Sequence, residues 1–591
     1  MESKTSKEIV LEGVAASPGV AHGLAFVILQ KELEIPVYEV PEEQVEHEKE
    51  RFEKALLEAR QQISEIRHEI ADRLGENEAR IFDAHIMVLE DRALIEETLS
   101  EMEQTGFNIE YCFREVSNRF IEAFEALQDD YLKERVKDIE DVSRRVLQIL
   151  LGETARNLME LVAERIIVSE DITPSEAAGL DTAKVLGVVT DSGSRTSHAV
   201  IMARSLGVPA VVGMHNASEK LDNDDYVLID GYDGVVIVNP TEETLFRYGE
   251  LKSERQTIQR VFESSALLPA TTADGKLLEV GANIGGPEDC QLALARGAEG
   301  VGLYRTEALY MQEDGFPNEE TQFQAYSEVA RQMAPQPVIL RTLDLGGDKH
   351  ISEFFVQNEN NPFMGFRAIR FCLEHRELFK DQLRAILRAS AYGHVKVMYP
   401  MISSLEEVIA ANEILEEAKA ELRERKQKFN EKIEVGAMIE IPGAALICDL
   451  LADHCQFFSI GTNDLIQYLL AVDRVNDKIA QLYEPSHPGV IRMLNSIIST
   501  ANEKNVHVGI CGEMAGDPIF VPLLFGMGAN EISATGAVLP EIKYLIRKMK
   551  ISDARELAQK VLVESDPKKI QQMLTAFYEE QMRDVLDEEQ N

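Results

Sequence analysis

The chain is poor in basic residues. Its 60 Lys and Arg face 103 Asp and Glu, a net charge of −43 over 591 residues. That balance argues against a nucleic-acid or anionic-membrane partner and is compatible with a basic protein partner. Cysteine is scarce as well. Cys112, Cys290, Cys372, Cys448, Cys455 and Cys511 form no CxxC pair and no regular spacing. This excludes a disulfide framework and suits reduced thiols. No run approaches 18 apolar residues, and Met1-Glu2-Ser3-Lys4-Thr5 opens without an apolar signal segment. The expectation is a soluble, cytoplasmic protein with no direct membrane insertion. Repeats, low-complexity tracts and a GxxxxGK-(S/T) phosphate loop are also missing.

What is present is enough apolar content, 45% of residues, for several cored domains. Residues 7–30 alternate short apolar runs with Gly and Pro and read as strands with a turn. The texture then changes. Phe52, Leu56, Ala59, Ile63, Ile66, Ile70 and Leu74 recur at steps of three and four, the mark of an amphipathic helix in a bundle. Short strands return from about 160. The simplest organisation is an α/β domain in two pieces, 1–35 and 155–240, holding an inserted α-helical domain, 36–154. A polar helical linker, 241–272, leads to a last domain, 273–591. There, strand-like segments at 278–284, 299–304, 337–343, 395–400, 434–441, 455–461 and 506–511 alternate with helical ones. An eighth strand is placed near 365–369. The rhythm predicts a parallel (β/α)8 TIM barrel, and the whole a multidomain α/β protein.

Two sets of residues point to chemistry. Ser192-Gly193-Ser194-Arg195-Thr196-Ser197-His198-Ala199 places a histidine between a predicted strand, Val185–Val189, and a predicted helix from Ala199 to Leu206. In the first helical turn the unpaired N–H groups and the dipole favour an anion and disfavour imidazolium. His198 there serves either as a polar cap or as a neutral phosphoryl acceptor, with the Thr196 hydroxyl placed to orient the ring. The second set lies at the C-terminal ends of predicted barrel strands, where barrel chemistry resides. Arg305, Arg341 and the later Arg474 suit bidentate binding of phosphate and carboxylate. Glu440 and Asp464 are hard oxygen donors suited to Mg²⁺. Cys511 is a candidate proton carrier. His487 and His507 read as barrel structure. His85, on the helical insert, belongs either to a docking face or to a surface or half-buried helix position.

Taken together, these stretches resemble the enzyme I family of the bacterial phosphoenolpyruvate-dependent sugar phosphotransferase system. The resemblance rests on Ser17-Pro18-Gly19-Val20-Ala21, Arg195 to His198, Arg341 to Lys349, Asn361-Pro362-Phe363-Met364-Gly365, Met438-Ile439-Glu440, Gly461-Thr462-Asn463-Asp464 and Cys511-Gly512-Glu513. It implies that a swivelling domain carries His198 as the phosphorylated residue. It implies that Arg305, Arg341, Arg474, Asn463 and the Asp464 backbone bind phosphoenolpyruvate, and that Glu440 and Asp464 hold Mg²⁺. Cys511 is implied to protonate the enolate to give pyruvate. The helical insert is implied to dock the phosphocarrier protein HPr, and the barrel to form a homodimer. The alternatives are a nitrogen-type regulatory relative and a pyruvate or water dikinase-like enzyme. The second of these needs a nucleotide-binding domain. Ser194 and Val475 depart from the family pattern.

Overall fold

The computed structural model describes residues 8–28, 33, 35–74, 81–125, 130–152, 163–172, 184–192, 200, 203, 208–310, 316–345, 361–474 and 479–586. The chain divides into two compact units, Met1–Ser253 and Glu254–Asn591. No described helix is long and apolar enough to cross a membrane.

The first unit contains an eight-stranded mixed sheet. Its strands are β1 (Ile9–Glu12), β2 (Val14–Ser17), β3 (Val20–Ile28), β4 (Arg165–Ser169), β5 (Val185–Thr190), β6 (Ala210–Val212), β7 (Tyr226–Asp230) and β8 (Val235–Val238), in the order β1-β8-β7-β3-β4-β5-β6-β2. The central strands β4 to β6 are continuous β-branched and apolar runs, and Ile166, Ile167, Val189 and Val211 are wholly buried. That is the composition expected of parallel strands covered on both faces.

Among the described residues, five helices lie between β3 and β4, Val45–Leu74, Ile81–Leu89, Arg92–Thr105, Ile109–Glu125 and Asp130–Leu151. Phe52, Ala55, Ala59 and Ile63 repeat along one face of the first helix and pack on Phe113, Val116, Val142 and Val146. The third helix is well bounded. The Asp91 side chain accepts from the Ala93 N–H at 2.8 Å, and Gly106 closes it at φ 71°, as helix-end physics prescribes. The docking-face reading of His85 does not hold. The ring is wholly buried, edge-on to Phe82, with Nε2 3.2 Å from Asp138.

A helix, Glu242–Ser265, precedes the barrel. The barrel strands are β9 (Glu279–Ile284), β10 (Val301–Arg305), β11 (Pro337–Arg341), β12 (His394–Tyr399), β13 (Glu434–Ile439), β14 (Phe457–Ile460), β15 (His507–Ile510) and β16 (Glu531–Ala534). All pair in parallel, and β16 pairs β9 to close the ring. Each of the seven strand segments named from the sequence contains one of these strands or overlaps most of it.

The eighth is a correction. Residues 365–369 bend and turn into the helix Ile369–Glu374, with Ala368 at φ 54°. The closing strand is Glu531-Ile532-Ser533-Ala534. Inside the ring, large side chains fill space left by glycine. A Cβ at Gly436 would stand 2.3 Å from the Phe457 ring. Leu303, Ile339, Met398, Met438, Phe457 and Cys511 form the interior cluster.

Candidate active site

The C-terminal rim of the barrel gathers charge at unusual depth. Arg341, the last residue of β11, is buried. Its guanidinium pairs with Glu307 and lies 3.0 Å from Asp344. Asp344 in turn accepts from Arg367 at 2.8 Å, and the same Arg367 nitrogen lies 3.6 Å from Asp464. Asp464 sits in the first turn of the helix Thr462–Leu470, which begins two residues after β14. Glu440 follows β13 directly, is buried, and accepts from the Met401 N–H at 2.6 Å.

Burial, and then the nearby Asp464 and Asp344 carboxylates, push Glu440 above the usual carboxylate range. The arginines are held charged instead, because Glu307 and Asp344 more than offset the desolvation of Arg341. Asp344 and Asp464 do the same for Arg367.

Cys511 follows β15 and is 3% exposed. Its Sγ is 3.7 Å from the Ile460 carbonyl oxygen. Burial pushes the thiol up to about 11, while Ser459 and the Arg341 charge work against that rise. The Asn283 amide donates to the Cys511 carbonyl at 3.0 Å, and the Ser533 hydroxyl donates to Asn283 at 2.7 Å. Asn463 clasps Glu513, donating to its carboxylate at 2.8 Å and accepting from its N–H at 2.7 Å. Arg305, at the end of β10, is exposed, and Arg474 is half-buried. Arg305 and Arg341 both act on the Cys511 thiol. Arg474 and Asp464 both act on Tyr483.

Among the described residues, Nε of Arg341, Nη1 of Arg474 and Oγ1 of Thr462 are buried without a hydrogen bond. Buried donors left unmade are costly. Their orientation around one rim, beside two carboxylates, fits an anionic substrate together with a hard divalent cation. Glu440 and Asp464 supply the oxygen donors that Mg²⁺ takes.

The structure therefore brings Arg305, Arg341, Glu440, Asn463, Asp464, Arg474 and Cys511 to one rim. His198 and Thr196 lie outside the described residues, as do Ser194, Val475 and most of the helix predicted from Ala199 to Leu206. The strand that leads to them is described. At its exit the buried Asp191 carboxylate accepts from the Ala217 N–H and from the Ser218 N–H and hydroxyl, anchoring the start of the loop.

Known protein families match the sequence along most of the chain. Residues 12–135 match the model of the PEP-utilising enzyme N-terminal domain. Residues 161–234 match that of the PEP-utilising enzyme mobile domain. Residues 260–551 match that of the PEP-utilising enzyme PEP-binding domain. A phosphoenolpyruvate-protein phosphotransferase of Bacillus sp. is 44% identical over 94% of this chain and 96% of its own. The protein of that name from Listeria innocua is 42% identical, over 96% of this chain and 99% of its own. That from Haemophilus influenzae is 41% identical over the same shares. The chain belongs to the phosphoenolpyruvate-protein phosphotransferase family.

The geometry also supplies residues that the sequence pattern did not single out. Arg367 and Asp344 form the centre of the rim's ion network, and neither ends a strand. Asp344 lies three residues beyond β11, and Arg367 stands just ahead of a helix. The only signal for Arg367 was its place two residues after the Asn361–Gly365 stretch.

Proposed function

We propose that the protein is an enzyme that transfers the phosphoryl group of phosphoenolpyruvate to His198 and then to a histidine of HPr, releasing pyruvate. The nitrogen-type alternative finds no support in the names of the relatives that match nearly the whole chain. The observation that carries the reading is the rim itself. Among the described residues, the Arg341 Nε, Arg474 Nη1 and Thr462 Oγ1 atoms lack a hydrogen bond beside two carboxylates and a buried thiol, in a member of this family.

In the proposed reaction, Arg341, Arg474 and Arg305 neutralise the phosphate and carboxylate of the substrate, with Arg367 beside them. Bidentate guanidinium contacts suit both groups. Asn463 and the Asp464 backbone complete the substrate contacts. Glu440 and Asp464 are the residues that would hold Mg²⁺, which when bound neutralises charge on the transferred phosphoryl group. Neutral His198 attacks phosphorus in line. The N–P bond forms as the bridging P–O bond breaks, and the enolate leaves with that electron pair. Thr196 is placed to orient the ring. The Cys511 thiol, held protonated by burial, delivers its proton to the enolate carbon, and the thiolate regains one from water.

One histidine serves two partners, so the domain carrying it moves between the barrel rim and the docked carrier. The helical domain is assigned to HPr docking and the barrel to homodimer formation. A cytoplasmic location goes with both partners.

The test is incubation with labelled phosphoenolpyruvate and Mg²⁺, with and without HPr, followed by mapping of the acid-labile label. The label is expected on His198, passing to HPr. His198→Ala is expected to take up none while keeping the wild-type circular dichroism and melting temperature. Label on a histidine of that folded variant overturns the assignment.

A further inference from the structure

A second group of ligating side chains lies at the other end of the barrel strands. Glu279, His507 and Glu531 are the first residues of β9, β15 and β16. β16 pairs with both of the other strands, and Glu531 stands level with Glu279. The three therefore meet at the seam where the barrel closes. Nε2 of His507 lies 3.4 Å from the Glu279 carboxylate. One donor atom from each residue falls within 4.8 Å of the other two.

Glu531 is the informative member. Its side chain is buried and turned into the barrel floor. An oxygen lies 2.8 Å and 2.4 Å from the points where a Cβ would stand at Gly281 and Gly302. Among the described residues its carboxylate accepts no hydrogen bond. His507 and Lys396 both act on it, but the Lys396 ammonium is 2.9 Å from Glu434 and is engaged there. Burial pushes the Glu531 carboxyl up to about 7, and its charged form, turned inward without a donor, is expensive unless a cation offsets it.

We propose that Glu279, His507 and Glu531 form a site for a divalent transition-metal ion, zinc above all, at the base of the barrel. One imidazole and two carboxylates suit zinc better than the all-oxygen preference of Mg²⁺ or Ca²⁺. Donors about 2.0–2.1 Å from a tetrahedral ion stand about 3.3 Å apart. The Glu279–His507 pair is already at that separation, and Glu531 reaches it by turning its carboxylate. Glu279 is exposed, which gives the ion a way in, and a water takes the fourth position. The base of a TIM barrel serves stability rather than chemistry. The ion would fasten the first strand of the ring to its last two.

Full-length protein in saturating Mg²⁺ is titrated with Zn²⁺ by calorimetry and with Co²⁺ by visible absorption. His507→Ala, Glu531→Gln and Glu440→Gln are run beside the wild type. The wild type is expected to bind one Zn²⁺ per chain that Mg²⁺ does not displace, and to melt higher with it. The affinity is expected to fall more than about 100-fold in His507→Ala and Glu531→Gln and to be unchanged in Glu440→Gln.

If His507→Ala does not fold, Glu279→Gln, altered at an exposed side chain, is expected to show the same loss. Absence of a Mg²⁺-insensitive site in the wild type overturns the proposal. So does equal affinity in the ligand variants, loss of the site in Glu440→Gln, or a Co²⁺ spectrum with thiolate charge-transfer absorption.

Discussion

Replacing Cys511 by serine separates a proton donor from a structural thiol. The thiol's hydrogen-bonding role is small, and serine is nearly its size. The thiol's contact to the Ile460 carbonyl oxygen at 3.7 Å is a weak sulfur bond. A serine hydroxyl finds the same acceptor, with the Ser459 hydroxyl beside it. The cost to the fold should therefore be about 1 kcal/mol or less, that of an ordinary hydrogen bond adjusted in place.

The chemical cost is far larger. A thiol at about 11 is fully protonated at neutral pH yet gives up its proton to an enolate carbon. A serine hydroxyl is a much weaker acid. Losing a placed general acid costs about 10²–10⁴-fold, equivalent to about 2.7–5.4 kcal/mol of transition-state stabilisation.

The two half-reactions are measured by rapid quench. One is pyruvate release from labelled phosphoenolpyruvate. The other is label transfer to HPr from enzyme phosphorylated in advance through phospho-HPr. Only the first should slow. In the wild type its rate should also show no thiol-linked decline until pH approaches about 11, because the proton is present at every pH below that value. Equal slowing of both half-reactions, in a variant that melts like the wild type, would refute the proton-donor role.

Arg367→Met removes one guanidinium partner of the buried Asp344, which also faces Arg341. It is expected to weaken phosphoenolpyruvate binding at least tenfold and to destabilise the barrel by about 1–3 kcal/mol in urea titrations. At the proposed site Mg²⁺ would displace a proton from Glu440, whose affinity for protons burial has raised. The Mg²⁺ dissociation constant measured by calorimetry should therefore fall as pH rises from the ordinary carboxylate range toward neutrality, by up to about tenfold per pH unit. Glu440→Gln should flatten that slope. Gly436→Ala drives a methyl into the Phe457 ring at 2.3 Å, and should cost at least about 1–3 kcal/mol by denaturant unfolding.

The barrel was legible where strands are apolar runs that stop at a charged residue, as at Val301–Arg305 and Glu434–Ile439 followed by Glu440. β16 was not, because it has only four residues and begins with an inward glutamate and not an apolar one. The stretch 365–369 misled for the opposite reason. Phe366, Ala368 and Ile369 look strand-like, yet the backbone reverses at Ala368.

Rim residues that end strands were readable from position alone, since a strand fixes where its last side chain points. Arg367 arrives from a connection, and only the folded chain shows that it reaches Asp344 and Asp464. For His85, helical spacing gave the element but not the depth. Burial depends on Asp138 and Phe82, 53 residues and three residues away in sequence.

The pairing of Glu531 with Glu279 joins segments about 250 residues apart, so the ring has no seam until nearly the whole chain has been made. A nascent polypeptide that stops short of β16 carries two naked sheet borders, on β9 and β15. Such borders recruit strands from neighbouring molecules, and late, distant closures are slow to form. Fragments ending before residue 531 should precipitate during synthesis, while those that include β16 stay dispersed.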